Sequence, residues 1–558
     1  MGGRRRRPSL GSDPVDIASN KRLLTRPRYS KIRVCPSHGR SPHDECDGHG
    51  EITNKRIRRW CSTVPHPEPC NYIMGRDPGR FDPKTLEDFR AMTIQAAMER
   101  AVELKSHVEK LGSTGKSKRK NIVFRDCENL IDSTILQLNT TLHSIKTNSS
   151  FTDSDAQTWL SSALTNIEIC RSGSDELKFW KFSSPILSGN LSELISNSLA
   201  VNGALSGNSS TNYDTNNHGF PGWVTPGDRK LLQDVGLATA SKANVIVSKD
   251  GPGDFRSIQE AINYAVDNRV GDGRVVVYVK KGVYEENILI NRTMNKVTLV
   301  GDGVRYTVIT GNRSVSAGFT TYSSATVGVD GSGFMARGIT FRNTAGPEGG
   351  QAVAFRSASD LSLFYACSFE GYQDTIFAQS QRQFYKSCYI YGTIDFIFGN
   401  AAVVFQSCVI YVRKPLLGQA NIITAQGRGD PFQNTGISIQ YCRILAAPDL
   451  KPVLGSFKTY LGRPWQEFSR TVIMKTYLDD LVDPEGWSSW ANSDFALSTL
   501  YYGEYQNFGP AAPTDNRVKW PGYHIITSPN EAAPFTVTGL ISGRGWLPGT
   551  GVPFIAGL

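Results

Sequence analysis

Gly371-Tyr-Gln-Asp374-Thr375 and Gly392-Thr-Ile-Asp395-Phe-Ile-Phe-Gly399 carry the reading that decides the fold. Each aspartate stands seven residues after a cysteine that closes a similar phrase, Tyr365-Ala-Cys367-Ser-Phe369 and then Lys386-Ser-Cys388-Tyr-Ile390. The phrase returns at Gln406-Ser-Cys408-Val-Ile410 and Gln440-Tyr-Cys442-Arg-Ile444, so that the cysteines are 21, 20 and 34 residues apart. The longest interval reads as an insertion. Self-similarity at this period, in short β-rich runs, predicts a parallel β-solenoid. Successive coils would stack strands roughly 4.8 Å apart, which brings Asp374 and Asp395 from neighbouring coils nearly into contact. Two carboxylates that close cannot both ionise easily, so one is expected to serve as the acid and the other as the base or nucleophile.

Working outward, residues 243–558 are rich in strand-like runs, among them Val275–Val279, Val297–Val300, Val403–Phe405, Ile437–Ile439 and Thr471–Met474, separated by Gly, Asn and Asp turns. The stacked Cys367, Cys388 and Cys408 would form an internal ladder, either of reduced thiols or with a disulfide. Spacing alone does not choose between Cys367–Cys388 and Cys388–Cys408.

A chain of 558 residues predicts two or more domains. Its net charge of +10 is concentrated in residues 1–80, which hold 17 Lys/Arg against 8 Asp/Glu. From Gln233 onward the balance is 28 against 26, so the body is near neutral and no nucleic-acid partner is implied. Residues 1–53, with Arg4-Arg5-Arg6-Arg7, Cys35 and Cys46, are expected to be a disordered basic tail. No apolar run of signal or membrane length occurs in the first 60 residues. Ten cysteines and six Asn-x-Ser/Thr sequons, at Asn139, Asn148, Asn190, Asn208, Asn291 and Asn312, nevertheless favour an oxidising, secretory route. The expectation is a secreted protein whose operative N-terminus is not Met1.

Residues 54–205 read as four helices. Thr85 and Asp88 form a capping-box start, and Leu86, Phe89, Ile94, Ala97, Ala101, Leu104, Val108 and Leu111 lie on one face. Further stretches run from about Ile122 to Ile145, Asp155 to Ile169 and Leu191 to Leu205. Antiparallel packing into a bundle buries these stripes. Cys61 and Cys70 bracket a proline-rich turn, and Cys127 and Cys170 fall on helices that a bundle brings together. Residues 206–242 are a polar linker in which Arg229-Lys230 is expected to be a protease-processing site.

The chemistry is narrowed by what the chain lacks. After Gln233 its sole histidine is His524, and it has neither a Gly-x-Ser-x-Gly elbow nor a His/Cys/Asp cluster with metal-ligand spacing. A carboxylate-based site remains.

Two resemblances then apply. Cys61-x8-Cys70, Arg125-Asp-Cys127-Glu-Asn-Leu and Ala163-Leu-Thr-Asn-Ile-Glu-Ile-Cys170 resemble the plant invertase and pectin methylesterase inhibitor family, a four-helix bundle with bridges matching Cys61–Cys70 and Cys127–Cys170. Gly282-Val-Tyr-Glu-Glu286, Gln351-Ala-Val-Ala354, the two aspartate motifs, Thr424-Ala-Gln-Gly-Arg428 and Leu461-Gly-Arg-Pro-Trp465 resemble, in order, the signature blocks of plant pectin methylesterases. The second resemblance implies a right-handed parallel β-helix that hydrolyses methyl esters of pectin without metal or organic cofactor. It makes Asp395 the nucleophile, Asp374 the general acid/base and Gln373 a transition-state stabiliser. Thr321, Gln351, Arg463 and Trp465 match substrate-binding positions, with Arg463 also the partner of Asp395. The same family implies a Cys388–Cys408 bridge, and an inhibitor-like pro-region that silences the enzyme before cleavage. The sequence shows neither the calcium-binding carboxylate cluster of a pectate lyase nor the Asp set with catalytic His of a polygalacturonase. A purely inhibitory protein would have no use for the Asp pair.

Overall fold

The computed structural model describes residues 48–77, 79–112, 117–147, 151–179, 190–206 and 243–558. Arg229-Lys230, Cys35, Cys46, Asn148 and Asn208 lie outside them.

The first part is helical. α1 (Gly48–Cys61) and α2 (Pro67–Met74) form a hairpin closed by the Cys61–Cys70 disulfide, whose Cα atoms are 5.6 Å apart. α1 starts at Gly48, inside the stretch expected to be disordered. α3 (Leu86–Gly112), α4 (Lys118–Thr147), α5 (Asp153–Glu176) and α6 (Leu191–Ser206) make the bundle. The capping box that opens α3 is formed, with Thr85 Oγ1 accepting from Asp88 N at 3.1 Å and Asp88 Oδ2 accepting from Thr85 N at 3.0 Å. Ile94, Ala97, Ala101 and Leu104 of α3 pack on Ile131, Leu138, Leu160, Leu164 and Ile195. The Cys127–Cys170 disulfide ties α4 to α5. α5 runs seven residues beyond the apolar stripe that ends at Ile169; there Cys170 and Ser174 still face Cys127 of α4, while Ser172, Gly173 and Glu176 line a cleft of the second domain.

From Val245 the chain winds as a right-handed parallel β-helix. Three sheets of 11, 7 and 8 strands run along it, every named pair parallel. Coil-to-coil registry is held by stacked interior side chains. Phe364, Tyr385 and Phe405 stack with centroids 4.3 and 4.5 Å apart, and Ile390, Ile410 and Ile444 are paired across strands. A short helix, α7 (Ile258–Asp267), buries Ile258, Ala261, Ile262 and Ala265 against the first coils.

Cysteines mark one corner of the coil, and here the sequence reading needs correction. Cys367, Cys388, Cys408 and Cys442 are all buried and unbridged, so the expected Cys388–Cys408 disulfide is not formed. The four sulfurs stand as a column of thiols within the apolar interior, which suits cysteine's apolar habit. Each sulfur is engaged as a ladder rung instead. Cys408 Sγ accepts from Cys388 N at 3.4 Å and Cys442 Sγ from Cys408 N at 3.3 Å. Thr476 and Asn507 continue the column with oxygens, accepting from Cys442 N and Thr476 N. The residue before each rung (Ala366, Ser387, Ser407, Tyr441, Lys475, Gln506) has φ of 50–56°, the left-handed bend that turns the chain between sheets.

Candidate active site

The aspartates sit at equivalent places on neighbouring coils. Ile376 pairs with Ile397 and Phe377 with Phe398 in the seven-stranded sheet, and Asp374 and Asp395 each precede these strands by two residues. Both occupy the left-handed region, with φ of 63° and 49°. A non-glycine residue there costs about 1 kcal/mol, a strain that the flanking bonds Asp374 N–Ile394 O (3.0 Å) and Thr393 N–Tyr372 O (3.0 Å) help to hold. Gly392 cannot be larger, since a Cβ would lie 2.2 Å from Phe396 Cβ.

Arg463 follows the strand Thr459–Gly462, two strands further along the same sheet. Its Nε and Nη2 donate to the two oxygens of Asp395 at 2.8 and 2.5 Å, a bidentate pair. The guanidinium also lies over the Trp490 ring, 4.5 Å from its centroid. Among the described residues Asp374 has no such partner. Burial first, then the charges of Asp395 and Glu176, hold its carboxyl well above the usual carboxylate range, with Arg463 pulling the other way. The two acids therefore sit in different surroundings.

A cleft of about 460 Å³ opens over them. Its walls include Thr321, Gln351, Gln373, Asp374, Asp395, Arg463 and Trp465, so every expected site residue outside the cysteines borders one space. Phe377 and Phe398 stack at 4.4 Å to form an apolar floor, and Trp465 meets both edge-on at 6.5 and 5.9 Å. Gly427 allows this approach, because a Cβ would come within 2.5 Å of the indole. Tyr322, Phe377, Phe398, Trp490 and Ala491 were not singled out from the sequence. The two phenylalanines had a usable signal, each standing three residues after its aspartate.

The cleft is roofed by α5, which contributes Ile169, Ser172, Gly173 and Glu176 to the lining. Glu176 accepts from Thr321 N at 2.8 Å and from its hydroxyl at 2.9 Å. Further along, Asn166 Oδ1 accepts from Gln379 Nε2 (3.1 Å), Thr165 Oγ1 from Asn400 Nδ2 (2.8 Å), and Ser161 O from Gln433 Nε2 (3.1 Å). Arg382 bridges Asp360 and Asp155 across the domain boundary. The loop 427–434 adds Phe432 O to Gln157 Nε2 (2.6 Å) and Asp430 Oδ2 to Ser196 Oγ (2.5 Å).

Fold and cleft define a two-domain β-helix protein with a carboxylate dyad under a helical cover. Comparison with known proteins assigns a family to each of the two domains. The Pectinesterase family matches residues 244–544, and the Plant invertase/pectin methylesterase inhibitor family matches residues 55–201. "Probable pectinesterase/pectinesterase inhibitor 59" of Arabidopsis thaliana is 53% identical over 515 residues, 91% of this chain and 95% of that protein. "Pectinesterase 2" of Citrus sinensis is 50% identical over 504 residues, 90% and 95% of the respective chains. Among solved structures, the pectin methylesterase from carrot superposes with a TM-score of 0.55 at 51% identity, covering 57% of this chain and 98% of its own. The chain belongs to the pectinesterase family, in the form that carries an inhibitor-like domain ahead of the esterase domain.

Proposed function

We propose that the β-helix removes methyl groups from homogalacturonan through Asp395 as nucleophile and Asp374 as general acid and base. The observation that supports this most is the unequal treatment of two adjacent carboxyls, one clamped by Arg463 and the other pushed well above the usual carboxylate range by burial and neighbouring acids. Asp395 attacks the ester carbonyl carbon, and the resulting oxyanion is met by the side-chain amides of Gln373 and Gln351. Asp374 passes its proton to the departing methoxy oxygen, and methanol leaves. The carboxylate so formed on Asp374 takes a proton from water, whose oxygen attacks the acyl-enzyme and frees the galacturonate acid. Trp465 and the Phe377–Phe398 floor offer apolar faces to the sugar.

Helix α5 over the cleft supports the second half of the reading: the bundle blocks the enzyme in cis, and cutting in the linker, at Arg229-Lys230, releases it. The paired cysteines of the bundle and the exposed sequon residues Asn139, Asn190 and Asn312 fit export to the cell wall, where methylated pectin is the substrate. The test is methanol release from methylated pectin with and without residues 1–232. Fast release without new reducing ends after their removal is expected. Equal rates for both forms would refute inhibition in cis, and absence of methanol from either would refute the esterase assignment.

A further inference from the structure

We propose that a groove between the bundle and the β-helix seats an N-linked glycan carried by Asn139, whose inner pair of N-acetylglucosamine residues touches both domains. This rests on the reading of the chain as an exported protein. The groove holds about 950 Å³ and shares no lining residue with the catalytic cleft. Ligand sites run from roughly 300 to 1,000 Å³, so it has room for a disaccharide. Asn139, on α4, is exposed and lies on the wall of this groove, and with Thr140 and Thr141 it makes an acceptor sequon. Asn291 is close by but does not line it. Its side-chain oxygen is turned to its own Thr293, accepting from N at 3.0 Å and from Oγ1 at 2.7 Å.

The two walls suit a sugar in different ways. On the bundle side Val102 and Leu136 stand 48% and 41% exposed, beside the half-buried Met98 and Ile135. An apolar patch left open in this way marks a surface that something covers, and the N-acetyl methyls and C–H faces of the sugars provide that cover. Trp159, half-buried in the same wall, adds an indole face. Its Nε1 donates across the domain boundary to Asp360 Oδ2 at 3.4 Å, which holds the ring in place.

From the β-helix come Asn295, Ser332, Asp360 and Gln381, a polar row that matches sugar hydroxyls and the N-acetyl amide. Gln381 carries the clearest sign of a missing partner. It is 3% exposed, sits in left-handed backbone at φ 69°, and its side-chain oxygen has no hydrogen-bond partner among the described residues. A buried carbonyl oxygen without a donor is costly, and a sugar hydroxyl is such a donor. Lys105 of the bundle and Arg292 of the β-helix both pair with Asp132 at this groove. A glycan laid across both walls therefore strengthens a joint that the ion pairs have begun.

The test uses the full chain, secreted behind an added signal segment from a host that attaches only high-mannose glycans. Native protein is treated with endoglycosidase H, which cuts between the two inner N-acetylglucosamines, and release at each site is followed by mass spectrometry of peptides. Asn190 and Asn312, both exposed, are the internal standards. In the native chain release at Asn139 is expected to be at least about tenfold slower than at those two, the worth of two or so hydrogen bonds, and to equal them after denaturation. Gln381→Asn keeps a residue at home in left-handed backbone while withdrawing the amide, and should speed release at Asn139 about fivefold. That variant alters only the β-helix wall, so simple shielding by α4 would not respond to it. Native against denatured wild type needs no substitution and decides the matter even if Gln381→Asn does not fold. Equal native rates at the three sites would overturn the proposal, as would slow release at Asn139 that ignores Gln381→Asn. Glycans at Asn190 and Asn312 with none at Asn139 would overturn it and leave export standing, whereas a secreted chain with no glycan at any of them would count against both.

Discussion

Replacing Glu168 by Gln should lock the bundle down and flatten the pH dependence of its release. Glu168 lies on the face of α5 turned to the β-helix, close to Gly429, where an added Cβ would be 2.7 Å from its Oε1. Burial, reinforced by Asp430 and opposed by Arg171, pushes its carboxyl from the ordinary 4.5 up to about 7. A raised value means that docking favours the protonated form. Docking is therefore at full strength below about pH 4.5, weakens as pH rises through about 7, and has lost this contribution above that. At ~1.4 kcal/mol per pH unit the whole difference is worth ~3 kcal/mol. Water in the adjoining cleft reduces it to about 1–3 kcal/mol, or roughly ten- to a hundredfold in the docking equilibrium. Glutamine keeps the shape without the charge. The assay is methanol release by the intact chain from pH 4.5 to 8, divided at each pH by the rate of the chain lacking residues 1–232. Wild type should show a rising quotient and Glu168→Gln a flat, low one; superimposable curves for the two would refute the argument.

Other perturbations act on single parts. Asp395→Asn, in the chain freed of its first 232 residues, should lower kcat by at least about a thousandfold with folding unchanged by circular dichroism; retention of a tenth of the rate would exclude it as nucleophile. Arg463→Lys keeps a cation but loses the bidentate grip and the contact over Trp490, so kcat should fall about ten- to a hundredfold, read in the same assay. Substituting Cys127 and Cys170 together by Ser removes a 43-residue crosslink, costing about 3–4 kcal/mol. Calorimetry should then show the helical transition moving down while that of the β-helix stays put.

Much of the β-helix was legible because its repeat is written in side chains of fixed phase. Asp374 and Asp395, seven residues after their cysteines, could be placed on adjacent coils before any coordinate was known. Arg463 and Trp465 could not be placed by phase, since the 34-residue interval hides how many coils intervene, and family blocks had to supply them. The disulfide expected between Cys388 and Cys408 is not formed, since one coil spacing permits a column of thiols as well as a bridge and the interval along the chain does not choose between them. The reach of α5 to Glu176 was missed for a related reason. Periodicity detects a stripe that packs into the helix's own domain, and Glu176, two turns beyond Ile169, finds its partner on another domain. Nothing in a pattern of 3.6 residues announces a distant neighbour.

On the function proposed above, the Phe377–Phe398 floor under Trp465 receives the bundle in one state and a polymer in the other. Natural variation at these rings is consequently constrained twice over. A broader or flatter platform that grips the polysaccharide harder also strengthens self-blockade, so gains in affinity arrive with slower maturation unless α5 changes in step. Lineages that dispense with the helical cover would be free of that bargain, and their aromatic floors should have drifted furthest.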